Sequence, residues 1–475
     1  MRTPFFKLVL FYSLISPGLN AQTLTSQIDA LIAQKLPRAT VGVLVKDAQT
    51  GEVIYSKNAD KLLSPASNIK LFTAAAVYYQ LAPNINFPTT LSKGNNNIYL
   101  TFSGSPSLKI NQLNDLLLNL KKNNIKTITG DFVLDVSHFK DPNYPNGVSY
   151  DDLGWYYSAP DTAIMLNKNA ETYELTSAKK MGDLVILNPK KPEPQITIIN
   201  QVVSADRDQI KNHCTLNLEV KEHNVIRLFG CAPYSEKPQE LQLAITDPLY
   251  LAQKLIKKSL EQNGILLKGH IVVGTTPLTA QPLAQIPSDT RNTLVKHMLQ
   301  ESDNLYANSL TKQLGFALTK EGSHKQGMYA LKKALKEHTN LNMDEIQLED
   351  GFGSRYNLIS PEQLVSLLTN IYINKNMYSF FLTALPQSGQ SGTLKDRMKK
   401  TILEKNVFAK TGTMHDISSL SGFLIKNNTN TLIFSIIING INIPIAKTKS
   451  LEEQILMLIA QNKNHSKLNH ISSKN

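Results

Sequence analysis

Pro65-Ala66-Ser67-Asn68-Ile69-Lys70 is the stretch that decides the fold of this 475-residue chain. It follows a predicted hairpin, with strands at 40–46 and 53–55, and it opens an apolar run at 69–81. A helix that is apolar almost all round is buried, and a proline just before it suits a helix start. The pattern therefore predicts a core helix with Ser67 at its solvent-facing N-terminus and Lys70 one turn further on the same face.

A serine three residues before a lysine carries little information alone, since the same spacing begins at Ser137, Ser177 and Ser309. A helix-capping serine with a lysine that reaches solvent is the simpler interpretation of such a pair on its own. Only Ser67 comes after an extended hairpin and at the start of an apolar run. Ser67 is therefore the candidate nucleophile, and Lys70 is the candidate base that such a hydroxyl needs.

Two further strings lie later in the chain, the first at 302–304 and the second at 410–413. Lys410-Thr411-Gly412-Thr413 precedes a paired-strand pattern at 420–425 and 431–438, which predicts an inner sheet strand. Its glycine is expected to let a substrate backbone approach closely as an extra strand, while threonine hydroxyls hold a carboxylate. Ser302-Asp303-Asn304 falls within a predicted helical stretch at 293–318. A turn at a strand end and a polar cap between helices are the simpler interpretations, but the three strings in this order favour one acyl-transfer site.

These strings resemble those of the low-molecular-mass class C penicillin-binding proteins, the D-alanyl-D-alanine carboxypeptidase/endopeptidase family (peptidase family S13). The resemblance runs nearly end to end. It also rests on Gly104-Ser105-Pro106-Ser107-Leu108, Ser158-Ala159-Pro160, Asn167-Lys168-Asn169, Asp350-Gly351-Phe352-Gly353-Ser354-Arg355-Tyr356-Asn357-Leu358 and Gly392-Thr393-Leu394-Lys395. The segment that begins at Asp350 is one residue shorter than its counterpart in the family.

The resemblance implies an exported serine peptidase that removes the terminal D-Ala from peptidoglycan stem peptides, cuts D-Ala–diamino acid cross-bridges and is acylated by β-lactam antibiotics. Lys70 would take the proton of Ser67, and Ser302 would relay it toward the leaving group. Asn304 would hold Lys70 and a substrate amide. Burial and the charge of Lys410 are expected to lower the pKa of Lys70.

The resemblance also implies the residues that bind substrate. The backbone N–H groups of Ser67 and Thr413 would form the oxyanion hole, and Lys410 and Thr411 would bind the terminal carboxylate. The remaining positions, for the side chain of the diamino acid, are Asp152, Tyr157, Arg355 and Met414. Some family members have a tryptophan where this chain has Ser149.

The 235 residues that separate Ser67 from Ser302 indicate a large insertion. It is polar and rich in strand patterns, which suggests one or two all-β modules, with a helix at 249–262, a strand at 270–273 and a linker at 276–287. We predict an α+β fold. Its split penicillin-binding/β-lactamase-like transpeptidase domain (22–89 and 290–461) has an antiparallel sheet flanked by helices, and the inserted, mainly β domains are domain II (90–172 and 241–289) and domain III (173–240).

The two ends of the chain differ in character from the rest. Arg2 and Lys7 with an apolar segment at 8–19 predict a cleavable signal peptide (1–21) and a periplasmic location, with an uncleaved anchor as the alternative. The basic tail at 462–475 is predicted to be disordered. The formal net charge of +12 favours a weak association with the cell wall or a membrane face, although solvated surfaces without a partner also carry such charge.

Several other classes of protein find little support. No basic patch is interleaved with aromatic residues, and no metal-ligand motif occurs, so we expect no nucleic acid, metal or other cofactor. Cys214 and Cys231 fit either a disulfide or two buried thiols. Two alternative functions remain open. A β-lactam-hydrolysing enzyme is disfavoured by the insertion and by the lack of an assignable deacylating glutamate, and a catalytically silent wall-binding protein by the intact motifs.

Overall fold

The computed structural model describes residues 23–211, 214–426 and 430–462. The predicted signal peptide and residues 463–475 of the predicted tail lie outside the described residues. The α-helices of these ranges are α1 (Leu24–Lys35), α2 (Lys70–Gln80), α3 (Ile110–Lys122), α4 (Arg207–Lys211), α5 (Pro248–Gln262), α6 (Arg291–Gln300), α7 (Asn304–Thr319), α8 (His324–His338), α9 (Pro361–Ile373), α10 (Lys375–Ala384) and α11 (Ile445–Gln461). The β-strands are β1 (Thr40–Asp47), β2 (Val53–Lys57), β3 (Thr89–Gly94), β4 (Asn97–Thr101), β5 (Thr127–Ile128), β6 (Phe132–Asp135), β7 (Ala170–Thr176), β8 (Ile186–Pro189), β9 (Thr197–Ala205), β10 (Leu216–Lys221), β11 (Val225–Pro233), β12 (Gln239–Ala244), β13 (Leu266–Leu267), β14 (Ile271–Val273), β15 (Gln281–Ile286), β16 (Val407–Met414), β17 (Ile417–Lys426) and β18 (Asn430–Asn439).

An antiparallel five-stranded sheet joins the two ends of the chain in the order β16-β17-β18-β1-β2. Strands β17 and β18 are buried almost throughout, because helices cover both faces of the sheet. Helices α2 and α6 to α10 contribute to the core on one face, and α1 and α11 pack on the other. This arrangement confirms the predicted α+β fold with an antiparallel sheet flanked by helices.

The inserted region has a hydrophobic core of its own. A mixed sheet in the order β14-β6-β4-β3-β15 and two three-stranded sheets, β10-β11-β9 and β12-β7-β8, surround this core together with α3 and α5. The inserted region is therefore mainly β, as predicted, but not all-β, because α3 lies in it besides the predicted helix at 249–262. Helix α3 buries Leu113, Leu116, Leu117 and Leu120, a helical spacing that the sequence already contained. The domain boundaries stay a prediction.

The predicted linker at 276–287 contains strand β15, which pairs antiparallel with β3 at the edge of the mixed sheet. Pro282 lies at a register shift in this pairing. An edge strand tolerates proline there, since a missing N–H breaks no inner ladder. Proline in this segment was therefore no sign of a linker.

Two further predictions need correction near the strings at 302–304 and 410–413. Strand β16 was predicted to be an inner strand, but it lies at an edge of the five-stranded sheet. Its apolar residues would alternate in the same way in either position. The predicted helix at 293–318 is interrupted, because Ser302 has a φ of +57°, which no right-handed helix accommodates. Asp303 then caps α7 by accepting hydrogen bonds from the N–H groups of Leu305 and Tyr306.

Cys214 and Cys231 form a disulfide between the approach to β10 and strand β11, which decides the alternative that the sequence left open. With a sequence separation of 17, closing this loop contributes about 3 kcal/mol by the chain-entropy estimate. Among the described helices, none combines the length and the apolar character that a membrane span requires.

Candidate active site

Ser67 lies in a 3-10 turn, Ala66–Ile69, that leads directly into α2. The residue before it, Ala66, is buried and has a φ of +49°, a conformation that costs an L-residue about 1–2 kcal/mol. The prediction of a core helix is confirmed, since its residues 70 to 77 are all buried. The strained turn presents the Ser67 hydroxyl at the buried end of this helix.

Lys70 is fully buried, and its ammonium nitrogen has three close neighbours. Nζ lies 2.9 Å from Oγ of Ser67, 2.7 Å from Oδ1 of Asn304 and 2.7 Å from the carbonyl oxygen of Phe352. An amide oxygen and a backbone carbonyl only accept hydrogen bonds, whereas a serine hydroxyl also donates one. Ser67 is therefore the one member of this trio that could give Lys70 a proton.

The two acceptors on Lys70 are themselves held in place. Asn304 donates through Nδ2 to the carbonyl oxygen of Tyr157 at 2.9 Å, which directs its Oδ1 toward Lys70. The buried carboxylate of Asp350 accepts hydrogen bonds from the N–H groups of Phe352 at 3.0 Å and Gly353 at 2.6 Å. This local turn orients the carbonyl of Phe352, and it places an anion near Lys70.

Burial lowers the pKa of Lys70 to about 7, while the charges of Asp350 and Asp303 oppose this shift. Burial and the charge of Lys70 together lower the pKa of Lys410 well below its usual value. The expected direction for Lys70 is thus found, with burial as its cause. The charge repulsion between the two lysines lowers the pKa of Lys410, whereas we expected it to lower the pKa of Lys70.

Ser302 faces Lys410 across the site. Nζ of Lys410 donates to Oγ of Ser302 at 2.8 Å and to the carbonyl oxygen of Thr411 at 2.8 Å, and the lysine is fully buried. Because Ser302 accepts from Lys410, its own O–H stays available to donate toward the cleft. Lys410 lies behind Ser302, so Thr411 and Thr413 are the residues of this string on the cleft wall.

Strand β16 passes very close to the turn that carries Ser67. A Cβ atom on Gly412 would lie 2.6 Å from the carbonyl oxygen of Pro65, 3.0 Å from Cβ of Ala66 and 2.2 Å from Oγ of Ser419. Oγ of Ser419 also donates to the carbonyl of Pro65 at 2.7 Å. The turn at Pro65 and Ala66 therefore comes close to Gly412, whereas we expected a substrate backbone to do so.

A cleft of about 630 Å³ contains most of the residues predicted from the sequence. Those on its wall are Ser67, Ser302, Asn304, Thr411, Thr413, Asp152, Tyr157, Arg355 and Met414. Lys70 and Lys410 lie directly behind this wall, bonded to Ser67 and Ser302, and Gly412 lies between the two threonines. The structure thus brings the predicted residues together around one cleft.

The positions expected to hold a substrate side chain lie on loops of this cleft. The hydroxyl of Tyr157 donates to Asp152 at 2.9 Å, and burial and this carboxylate raise the pKa of Tyr157, so it stays protonated. Arg355 donates to Asp416 at 2.6 Å, in the turn after β16. Both residues of the latter pair are well exposed, so water screens their charges.

Sequence reasoning did not single out several residues in and around the cleft. In the sequence, Asp350 is distinguished only as part of a segment that resembles the family, although an aspartate ahead of glycines is typical of a side-chain-capped turn. The same is true of Thr393, whose hydroxyl accepts from Thr411 at 2.8 Å. Arg397 and Lys449 also line the cleft, and nothing in the sequence distinguishes them among 50 basic residues. Within the described ranges, no three His, Cys, Asp or Glu side chains gather to hold a metal ion.

Comparisons with known proteins identify the family of this chain. The model of the D-Ala-D-Ala carboxypeptidase 3 (S13) family matches residues 24–462. The chain is 32% identical to D-alanyl-D-alanine carboxypeptidase DacB of Haemophilus influenzae over 422 residues, covering 86% of this chain and 87% of that protein. It is 28% identical to a D-alanyl-D-alanine carboxypeptidase of Actinomadura over 449 residues, with coverage of 89% and 82%.

Solved structures give the same result. The crystal structure of penicillin-binding protein 4 (DacB) from Haemophilus influenzae superimposes with a TM-score of 0.82 at 30% identity, covering 92% of this chain and 99% of that one. A second crystal structure of that protein, in complex with a β-lactam, has a TM-score of 0.77 at 28% identity, with coverage of 92% and 100%. These matches confirm the resemblance that the three strings indicated. The chain belongs to the D-Ala-D-Ala carboxypeptidase 3 (S13) family.

Proposed function

We propose that this serine-type D-Ala-D-Ala carboxypeptidase cleaves the terminal D-Ala-D-Ala bond of peptidoglycan stem peptides through an acyl-serine on Ser67. The observation that carries the proposal is the surroundings of Lys70. A neutral amine has two N–H groups, which Asn304 and Phe352 accept at 2.7 Å each, and one lone pair, which is left for the hydroxyl of Ser67 at 2.9 Å. This is the geometry of a general base and its nucleophile.

The reaction then proceeds in two halves. Oγ of Ser67 bonds to the carbonyl carbon of the penultimate D-Ala while its proton passes to Lys70. The C–N bond breaks as the leaving nitrogen takes a proton from Ser302, which regains one from Lys70. Water then attacks the ester and gives a proton to Lys70, and Ser67 regains its proton as the peptide departs.

Strand β16 would supply the remaining roles, which are to bind the oxyanion and the terminal carboxylate. The backbone N–H groups of Ser67 and Thr413 would hold the oxyanion, and the contact between Gly412 and the turn of Ala66 keeps these two segments together. The hydroxyl of Thr413 would donate to the terminal carboxylate, and that of Thr411, which donates to Thr393 in this structure, would turn from Thr393 to do the same. Lys410 would act on this carboxylate through its charge and on Ser302 through a hydrogen bond.

We further propose that the enzyme also cuts D-Ala–diamino acid cross-bridges. The outer edge of β16 is bridged to Gln387 at Phe408, and beyond this bridge it pairs with no described strand, which leaves room for an extended peptide strand. The cleft is large enough for more than a dipeptide. Asp152, Tyr157, Arg355 and Met414 would contact the side chain of the diamino acid. Their position on the wall of the same cleft supports this assignment.

A β-lactam would acylate the same serine. Its leaving nitrogen stays tethered to the acyl group, so the ester is expected to persist, as for an inhibited enzyme. The β-lactam complex of the Haemophilus influenzae protein supports this proposal. We also propose that the enzyme is periplasmic and associates weakly with the cell wall or a membrane face, which rests on the predicted signal peptide and the net charge of +12.

Labelling with fluorescent penicillin, followed by mass spectrometry of the modified peptide, tests the proposal. We expect one long-lived label on the Ser67 peptide and none in the Ser67→Ala variant. Ser177→Ala is the matched control, because Ser177 has the same spacing to a lysine and lies outside the cleft. Label that persists in Ser67→Ala would place the nucleophile elsewhere, rapid drug turnover would favour a β-lactamase, and no label on folded protein would favour a silent wall-binding protein.

A further inference from the structure

Two cationic side chains on the cleft wall have no part in the proposed mechanism. Arg397 precedes β16 in the chain, and Lys449 lies in the first turns of α11. Both line the cleft that contains Ser67, Thr411 and Thr413. Positive charge on the wall of a cleft attracts an anion, so the partners of each cation decide whether it has charge to spare.

Hydrogen bonds through Nε and Nη2 hold the guanidinium of Arg397 in place. Nε donates to Glu453 at 2.7 Å, and Nη2 donates to Glu452 at 3.0 Å and to the carbonyl of Lys449 at 3.1 Å. The side chain is only 13% exposed. Nη1 makes no hydrogen bond with any residue that the structure describes. A guanidinium fixed in this way offers a pre-oriented donor at little entropic cost.

Glu452 links this arginine to the strands of the site. It is fully buried, and it accepts from Arg397 and from the hydroxyl of Ser418 at 2.5 Å. Ser418 on β17 is the register partner of Thr413 on β16. The guanidinium is therefore anchored to the same strand pair that presents Thr411 and Thr413.

Lys449 is the cation of this cluster without a directly bonded carboxylate among the described residues. Among the described residues, its ammonium group forms no ion pair or hydrogen bond, although the side chain is half-buried. Both glutamates nearby already accept from Arg397. Burial and the charge of Arg397 lower the pKa of Lys449, and Glu452 opposes this shift only in part. A bound anion would remove this electrostatic penalty.

We propose that Lys449 and Nη1 of Arg397 form an anion subsite in the cleft that Thr411 lines, and that it takes a second carboxylate, carried by the leaving group of the cleaved peptide. The inference rests on the proposed function. Thr411 and Thr413 would hold the terminal carboxylate, which belongs to the residue that leaves. On the acyl side, the charged group of Arg355 already pairs with Asp416. The subsite therefore favours a departing peptide that has a further acidic group over a lone D-Ala.

Two peptides that differ in one charge test this subsite. Acyl-D-Ala-D-Glu and acyl-D-Ala-D-Gln have leaving groups of the same shape, and only the first has a second carboxylate. We expect the full-length enzyme to cleave the glutamate peptide with a kcat/KM about five- to tenfold higher, the range for a partly desolvated ion pair. Lys449→Met should abolish this preference and leave turnover of the glutamine peptide unchanged. Added salt should weaken it.

Lys447→Met is the matched control, since Lys447 is exposed on the same helix and does not line the cleft. It should keep the wild-type preference. Equal rates on the two peptides in the wild type, or a preference that survives in Lys449→Met, would overturn the proposal. Binding of both peptides to Ser67→Ala by calorimetry tests the subsite without turnover. Failure of the proposed function, seen as no hydrolysis and no penicillin label, is therefore distinguished from failure of the subsite.

Discussion

The contact between β16 and the turn of Ser67 makes Gly412→Ala a sharp perturbation of the site. The new Cβ would lie 2.6 Å from the carbonyl oxygen of Pro65. Real Cβ atoms essentially never come within 3.0 Å of a neighbour, and ordinary contact begins at 3.4 Å. Because the carbonyl belongs to the backbone, the strand and the turn must separate by about 0.4 to 0.8 Å.

This separation acts on the two N–H groups proposed for the oxyanion hole. One belongs to Ser67 in the turn, and the other belongs to Thr413 on β16, so the gap between them widens. A displacement near 1 Å in an active site costs about 100-fold, and removal of one oxyanion donor costs about 10²–10³. We expect the rate constant for acylation by penicillin to fall about ten- to hundredfold. Overpacking should destabilise the fold by about 1–3 kcal/mol.

Stopped-flow acylation with fluorescent penicillin, together with thermal unfolding, measures both effects. Gly274→Ala is the control, since its Cβ would meet only the movable methyl group Cγ1 of Val133, in the inserted region. It should acylate like the wild type. The double variant Gly412→Ala/Ser419→Ala removes the hydroxyl contact and keeps the backbone contact, so it should stay slow. Recovery in the double variant, or an acylation rate within twofold of wild type in Gly412→Ala, would refute the reasoning.

Two further predictions concern charge. Burial lowers the pKa of Lys70 to about 7, and only the free amine of Lys70 accepts a proton. The acylation rate constant should therefore fall about tenfold per pH unit below 7 and level off above about 8. A flat profile between pH 5 and 8 would contradict this role. Arg355→Ala should reduce kcat/KM about two- to fivefold more for peptides with a diamino acid side chain than for simple D-Ala-D-Ala analogues, because an exposed pair contributes little. Equal losses on both substrates would remove Arg355 from the side-chain pocket.

The hairpin, the buried helix after Ser67 and the antiparallel sheet could be predicted because hydrophobic periodicity records burial directly. The edge position of β16 could not. Its apolar residues alternate as they would on an inner strand, and the order of strands in a sheet depends on contacts between segments far apart in the chain. Strand β15 was missed for a different reason, since Pro282 looks like a linker residue unless its place at an edge is known.

The side chains that react were easier to predict than those that orient them. Ser67 and Lys70 are three residues apart on one turn, so their contact follows from local geometry. The acceptors that fix the second and third positions around Lys70 come from residues 304 and 352. No periodicity relates these positions, and the carbonyl of Phe352 leaves no mark on side-chain chemistry. Asn304 was therefore assigned to Lys70 only through the family resemblance, and the carbonyl of Phe352 became visible only when the fold had brought it to the site.

Backbone with positive φ occurs in each of the three segments around Lys70, and it is strained at the two positions that are not glycine. Ala66 has a φ of +49° beside the nucleophile, Ser302 has +57° beside the cap of α7, and Gly353 has +108° directly after Phe352. Residues in such conformations persist only where the surrounding packing determines them. A Cβ on Gly353 would lie 2.1 Å from the carbonyl of Ala66, so the first and third of these turns pack on each other. The position of the Ser67 hydroxyl therefore depends on the loop at Asp350 as much as on its own helix.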